Sequence, residues 1–168
     1  DGKHGEAFGY KTVNTDVLAW IVARVTGMRY QEALSDMLWS RMGVEQDAYC
    51  SVDAAGTPFA GGGMSAGLRD LGRIGQLLLN DGTINGKRLF PAKVVENIRR
   101  GGDRDAFARG GFNTLEGGSY RSMFWVLHNK NGAYAARGVY GQTIYVDPAA
   151  EMVLVRLASY PKPKNALI

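Results

Sequence analysis

A tyrosine and two threonines stand directly ahead of an apolar segment near the start of the chain, in residues 6–20 (EAFGYKTVNTDVLAW). Asn14 or Thr15 would cap a helix there, since a side-chain oxygen at a helix start accepts a hydrogen bond from an otherwise unpaired amide. Asp16 would suit the positive end of the helix dipole. Capping leaves the hydroxyl of Tyr10 unexplained. Tyr10 is therefore a candidate for chemistry, and the alternative is a ring packed beneath the helix as an N-terminal staple.

The other reactive residue types are scarce. Cys50 is the single cysteine, which excludes an internal disulfide, and His4 and His128 are the two histidines. We therefore expect no metal site and no cofactor. Trp125 and His128 both lie in the segment FWVLHN of a predicted strand. Their spacing puts the two side chains on opposite faces of the strand, so at most one of them faces a given side. We interpret His128 as a surface or core histidine, and contact with a substrate is the alternative.

Composition sets the class of protein. A chain of 168 residues that is 45% apolar is typical of one folded domain. It has no apolar run near the roughly 20 residues that cross a bilayer, and the pattern leaves the compartment open between periplasm and cytoplasm. The net charge is +4, but the basic residues are scattered. This favours a solvated surface over a nucleic-acid site. The ends, DGKHGE and KPKNALI, suggest a portion of a longer protein.

Residues 1–118 show helical periodicity. Four helices are predicted: one over 17–25 ending at Gly27, one over 33–42 ending at Gly43, one capped by Ser65 and ending at 81–82, and one from Pro91 through Ile98.

Residues 119–168 change to the period of strands. The strands are predicted at 120–128, 132–139, 143–147 and 152–159, with turns at NKNG and DPAAE. This pattern predicts an antiparallel meander. The last strand is apolar on both faces, so we expect it to be central and covered on both sides. Helices followed by strands in one core predict an α+β fold, with the two parts together forming an incomplete portion of one domain.

Three segments in order, FGYKTVNTDVLAWIVARVTG, GGGMSAGLRDLGRIGQLLLNDG and ARGVYGQTIYVDPAAEMVLVRLAS, resemble the C-terminal half of the serine β-lactamase and penicillin-binding-protein superfamily. The resemblance covers most of the chain and is strongest to the branch of class C-like esterases and 6-aminohexanoate-dimer hydrolases. It implies a serine β-lactamase/D,D-peptidase-like fold. It also implies a small-molecule acyl substrate.

The resemblance gives Tyr10 a role. The family carries a Tyr-x-Asn or Tyr-x-Ser element whose tyrosine relays a proton in the active site, and the matching residues here are Tyr10, Lys11 and Thr12. It therefore implies that Tyr10 is the general acid/base and that Thr12 holds the polar second position. Threonine keeps a hydroxyl and lacks the amide.

A second element of the family is a Lys-Thr-Gly or His-x-Gly box on the strand beside the site. The matching stretch is residues 138–142 (GVYGQ), which lacks Lys, Thr and His. Small residues there let a backbone amide approach the substrate oxygen. The resemblance implies that Tyr140, Gly141 and Gln142 contact substrate; the alternative is a tight turn between two strands. Trp125 and His128 are further candidates for substrate contact, from their position on the predicted strand. The third element, residues 61–78, is interpreted as structural.

The nucleophile of the superfamily is not found in this chain. It lies in Ser-x-x-Lys, where the lysine accepts the serine proton. The one formal match, Ser159 to Lys162, is rejected because Pro163 has no amide for the helix that the motif requires. We expect a serine hydrolase whose nucleophile lies upstream, so that this chain alone is inactive and pairs with the missing segment or with a copy of itself. The alternative is a nucleophile-free binding module.

Overall fold

The computed structural model describes residues 3–163. Within this range the α-helices are α1 (Val13–Thr26), α2 (Tyr30–Met37), α3 (Leu68–Leu79), α4 (Lys93–Arg100) and α5 (Arg104–Arg109). Short 3-10 turns span Trp39–Arg41, Asn113–Leu115 and Val139–Gly141. The strands are β1 (Tyr49–Cys50), β2 (Met64–Ser65), β3 (Thr83–Ile84), β4 (Lys87–Arg88), β5 (Ser119–Arg121), β6 (Phe124–Val126), β7 (Tyr134–Arg137), β8 (Thr143–Asp147) and β9 (Met152–Arg156). Helices followed by an antiparallel sheet confirm the predicted α+β class.

Helix α1 ends where the sequence predicts but begins differently. Gly27 takes the left-handed conformation (φ 69°) that ends the helix, as expected. Thr12 occupies the N-cap position without a side-chain capping bond, and Asn14 and Thr15 lie inside the helix. The prediction that Asn14 or Thr15 caps this helix is therefore wrong. The hydroxyl of Thr15 instead donates to Met123 Sδ, at 3.4 Å.

The second predicted helix breaks early. α2 ends at Met37 because Leu38 leaves the helical region (φ −132°), and the next residues form a 3-10 turn. This break lets the Trp39 indole donate to the carbonyl of Gln46 at 3.1 Å and lets Met42 become fully buried. Tertiary packing thus overrides the helical period of the sequence here.

The predicted starts of the third and fourth helices also need correction. Ser65 does not cap α3; it lies in β2, opposite Tyr49, and Gly67 precedes the helix. α4 begins at Lys93, two residues after Pro91, and continues past Ile98. The short helix α5 was not predicted. Its sequence signal is Asp103 at the N-cap, whose carboxylate accepts a hydrogen bond from the amide of Ala106 at 2.8 Å.

The predicted strand at 120–128 is in fact a hairpin. β5 and β6 are joined by Ser122 and Met123, which both have positive φ (49° and 68°). A two-residue turn of this kind usually carries Asn-Gly, so Ser-Met gives no turn signal. The strand predicted at 143–147 is confirmed as β8 with the same bounds.

The two faces of the sheet have different environments. One face packs against α3 and α4 and places Val126, Tyr134 and Val146 in the main core. The Tyr134 hydroxyl donates to the carbonyl of Leu78 at 3.2 Å. The opposite face, here called the site face, carries Tyr120, Trp125, Ala135 and Tyr145, which lie opposite one another across four strands.

The strand β9 has a different position from the one predicted. The order of the five strands is β5-β6-β7-β8-β9, so among residues 3–163 β9 lies at an edge of the sheet. α3 covers its Val153 side, whereas Met152 and Leu154 are exposed (42% and 48%). The prediction of a central strand covered on both sides is therefore wrong for the part of the chain that the structure describes. Within the same part, no helix has the length and apolarity to cross a membrane.

Candidate active site

Tyr10 lies on the site face of the sheet, just before α1. Its ring stacks on Trp125, with centroids 5.8 Å apart and planes at 19°, and meets Tyr120 edge-on at 5.7 Å. The neighbouring Phe8 is held in turn, because its amide donates to the carbonyl of Ala106 at 2.8 Å. The ring of Tyr10 is thus fixed against β5 and β6 while the residue remains 42% exposed. A fixed phenol that reaches solvent has the placement that proton transfer needs.

A second phenol stands beside Tyr10. The Tyr120 hydroxyl donates to Met123 Sδ at 3.3 Å, and the same sulfur accepts from Thr15. Burial raises the pKa of Tyr120, and the charge of Tyr10 and a hydrogen bond to it raise this pKa further. Tyr120 therefore stays an uncharged hydrogen-bond donor next to the candidate acid/base.

Thr12 faces the glycine-rich turn ahead of α3. A β-carbon on Gly61 would lie 2.3 Å from Thr12 Cγ2, so only glycine fits at this approach. The Gly61 amide donates to the carboxylate of Asp16 at 3.1 Å. These contacts fasten the turn at 61–63 to the first turn of α1 and thereby fix the segment that carries Tyr10.

The stretch 138–142 forms a tight turn after β7. The Gly138 amide donates to the carbonyl of Gln142 at 3.0 Å, and Tyr140 is exposed with φ 60°. Gly141 is buried at φ 95°, where a β-carbon would lie 2.8 Å from the Tyr160 ring. The side-chain amide of Gln142 donates to and accepts from the backbone of Ala158. Gln142 therefore holds the turn to the segment after β9, whereas Tyr140 is open to solvent.

His128 is placed apart from Tyr10. Its Nε2 lies 2.7 Å from the hydroxyl of Ser119, which is fully buried and also accepts from the amide of Gly102 at 3.0 Å. Ser119 precedes Tyr120 in β5 and so lies on the face opposite Trp125. Burial, and then the charge of Arg104, lower the pKa of His128. The His128 imidazole is therefore paired with Ser119 on the core face of the sheet, away from Tyr10 and Trp125.

The structure brings Tyr10 and Trp125 together on the site face, and the turn at 138–142 follows the end of β7. Arg137 joins them: its guanidinium carbon lies 5.2 Å from the centre of the Trp125 ring, and it directly precedes Gly138. Sequence reasoning missed Tyr120 and Arg137. The signal for both was alternation along the strands. The hairpin at 122–123 concealed it for Tyr120, whereas Arg137 lies within the strand predicted at 132–139.

No group of three or more metal-ligating side chains lies together among residues 3–163. A cavity of about 480 Å³ is lined by Val44, Glu45, Gln46, Asp47 and Tyr49. None of these residues belongs to the candidate site.

Comparison with known proteins identifies the family of the chain. A sequence model of the Beta-lactamase family matches residues 1–167, and the chain belongs to that family. It is 43% identical over 164 residues to a 6-aminohexanoate-dimer hydrolase of Paenarthrobacter ureafaciens, covering 97% of this chain and 42% of that protein. The resemblance inferred from the sequence is thereby confirmed.

Solved structures extend the comparison to the fold. A 6-aminohexanoate-dimer hydrolase assigned in Bacillus anthracis superposes with a TM-score of 0.87 at 37% identity, over 99% of this chain and 42% of that chain. A penicillin-binding-protein homologue from Caulobacter crescentus superposes with a TM-score of 0.72 at 14% identity, over 93% of this chain and 54% of that one, which shows the shared fold alone. The chain thus spans less than half the length of the two 6-aminohexanoate-dimer hydrolases.

Proposed function

We propose that the complete protein is a serine hydrolase that cleaves an ester, amide or β-lactam bond through an acyl-enzyme. Tyr10 is the general acid/base, and a Ser-x-x-Lys nucleophile comes from a segment outside this chain. The observation that carries the proposal is the ring of Tyr10, fixed on Trp125 and Tyr120 yet open to solvent. Membership in the Beta-lactamase family supports it.

In the proposed reaction, the serine oxygen attacks the substrate carbonyl and its proton passes to the base formed by the lysine and Tyr10. The phenol of Tyr10 then protonates the leaving amine or alcohol as the bond to the acyl carbon breaks. In the second half, water attacks the acyl carbon and gives a proton to the same base. The base passes this proton to the serine oxygen as the acyl–serine bond breaks and the carboxylic acid product leaves. Tyr120, whose pKa is raised by burial, stays neutral beside Tyr10.

The turn at 138–142 completes the proposed site. The turn follows β7, whose Arg137 lies over Trp125, and the proposal puts its backbone and the exposed Tyr140 in contact with the substrate. Thr12 packs against Gly61 and helps to hold the segment that carries Tyr10. Because the curated relative is named for the linear 6-aminohexanoate dimer, a linear amide is the first substrate to test.

The test is Tyr10→Phe in a full-length protein that contains this chain, assayed with a p-nitrophenyl ester and the 6-aminohexanoate dimer. We expect turnover to fall by about 100-fold or more, because a general acid/base group contributes that much. Tyr49→Phe is the matched control, since Tyr49 is 73% exposed and lies outside the candidate site. A fluorophosphonate probe should label a serine outside this chain.

Two results would overturn the proposal. If Tyr10→Phe keeps its turnover and loses thermal stability, Tyr10 is the structural staple. If the full-length protein shows neither serine labelling nor turnover, the nucleophile-free binding module is correct.

A further inference from the structure

The sulfur of Met123 joins the two structures that flank Tyr10. It accepts hydrogen bonds from the hydroxyl of Thr15, in the first turn of α1, and from the hydroxyl of Tyr120, on β5. Thr15 and Met123 are 108 residues apart in sequence, and the ring of Tyr120 meets the ring of Tyr10 edge-on at 5.7 Å. One atom therefore holds both the helix that follows Tyr10 and a ring on which Tyr10 packs.

Two hydroxyl donors on one thioether are an unusual use of methionine. The sulfur is a weak acceptor, and the side chain usually adapts to gaps through its three rotatable bonds. Here the two oxygens lie 3.4 and 3.3 Å from the sulfur of Met123, and Thr15 and Tyr120 are both partly buried. Partly buried hydroxyl groups need an acceptor. Loss of the sulfur would therefore make both hydroxyl groups move to find other partners.

Helix α4 fixes the position of this sulfur from outside the candidate site. The side-chain amide of Asn97 donates to the hydroxyl of Ser122 at 3.1 Å and accepts from Nε of Arg121 at 3.0 Å. Arg121 also donates to the carbonyl of Gly101, just after α4, at 3.2 Å. Because α4 packs in the main core, the two residues before Met123 are tied to a fixed support.

We propose that Met123 is a positioning residue, whose sulfur acts as the hydrogen-bond acceptor that holds the phenol of Tyr10 where it transfers a proton. This inference rests on the proposed function, because proton transfer is the step that needs this placement. A misplacement of about 1 Å can lower turnover by about 100-fold. Met123 acts through Thr15 and Tyr120 rather than on the reacting atoms.

The experiment compares two replacements of similar size in the full-length protein. Met123→Leu keeps an apolar side chain of similar volume and removes the acceptor. Met123→Gln keeps the length of the side chain and places an oxygen acceptor near its end. A packing role predicts that leucine is the milder replacement, whereas an acceptor role predicts that glutamine is. Met37→Leu is the matched control, because Met37 is 54% exposed at the end of α2.

The kinetic readout is the separation of kcat from KM with a p-nitrophenyl ester. Met123→Leu should lower kcat by about 10-fold and change KM by less than about 3-fold, because the acid/base group is displaced rather than the substrate. Met123→Gln should keep kcat within about 3-fold of the unaltered protein, and Met37→Leu should change neither constant. Thr15→Val should lower kcat by less than Met123→Leu does and add nothing to it in the double variant, since both remove the same bond.

Fluorine NMR reports the position of Tyr10 without turnover. In protein labelled with fluorotyrosine, the signal of Tyr10 is assigned from its loss in Tyr10→Phe. We expect this signal to shift in Met123→Leu, and to shift less in Met123→Gln and in Met37→Leu. If it does so while no ester is cleaved, the proposed function fails and the positioning by Met123 stands.

Three results would overturn the role of Met123. The first is Met123→Leu with the kcat and the fluorine signal of the unaltered protein, whatever its melting temperature. The second is an equal loss of kcat in Met123→Leu and Met123→Gln, which would indicate packing rather than hydrogen bonding. The third applies if neither replacement folds: Thr15→Val with full kcat and an unmoved fluorine signal would show that the bond to the sulfur does not place Tyr10.

Discussion

Gly75 sets how closely α3 approaches the sheet. A β-carbon there would lie 2.3 Å from Val153 Cγ1 and 3.3 Å from Ile144 Cγ2. Overpacking of a core costs about 1–3 kcal/mol, and the upper end applies because valine has few rotamers to escape into. Better helix propensity offsets about 1 kcal/mol. Gly75→Ala should therefore lower the free energy of unfolding by about 2 kcal/mol.

The same helix offers a matched control. A β-carbon on Gly72 would meet no atom within 4 Å. Gly72→Ala should therefore raise the free energy of unfolding by about 0.5–1 kcal/mol through helix propensity alone. The two variants gain the same methyl group on one helix, so the difference of about 3 kcal/mol isolates the contact with β9.

Urea unfolding of the full-length protein, followed by circular dichroism, measures both values, provided the m-values stay equal. The double variant Gly75→Ala with Val153→Ala should show a favourable coupling, because removing the valine methyl groups makes room for the alanine. Equal stability of Gly75→Ala and Gly72→Ala, or purely additive effects in the double variant, would refute the packing argument.

Two further predictions concern buried polar groups. Asp70 is 1% exposed and its carboxylate accepts from two backbone amides, at 2.8 and 3.2 Å, so Asp70→Ala should lower the free energy of unfolding by about 3 kcal/mol in urea. Because the pKa of His128 is lowered in the folded protein, His128 is protonated at a higher pH in the unfolded chain than in the folded one. The free energy of unfolding should therefore fall as the pH drops below about 6.5. His128→Gln should reduce that fall, as measured by thermal melts between pH 7 and 5. An unchanged pH dependence in this variant would contradict the prediction.

Periodicity predicted elements well where local and tertiary preferences agree. Gly27 ends α1 and β8 spans 143–147 as predicted, because a left-handed glycine and an alternating strand need few distant partners. The second helix is different. The helical spacing of its apolar residues continues through Met42. The helix nevertheless breaks at Leu38, because this break lets Trp39 and Met42 be buried in one core cluster.

The candidate site could be predicted only in part. The resemblance points to Tyr10 through its position in a short motif, and the structure supports this role by fixing the ring on Trp125. Tyr120 and Arg137 belong to no motif. Tyr120 reaches the site through the pairing of β5 with β6, which depends on a Ser-Met turn that the sequence does not signal, and Arg137 reaches it through the pairing of β7 with β6.

The turn at Ser122 and Met123 links the two parts of the site. Two non-glycine residues in the left-handed region cost about 1 kcal/mol each, so the turn needs a compensating role. Met123 supplies it, because its sulfur accepts from Thr15 on α1 and from Tyr120 on β5. The turn therefore fastens the helix that follows Tyr10 to the strand beside Trp125. A slip of the hairpin by one residue would send Tyr120 to the core face and leave Tyr10 without its second phenol.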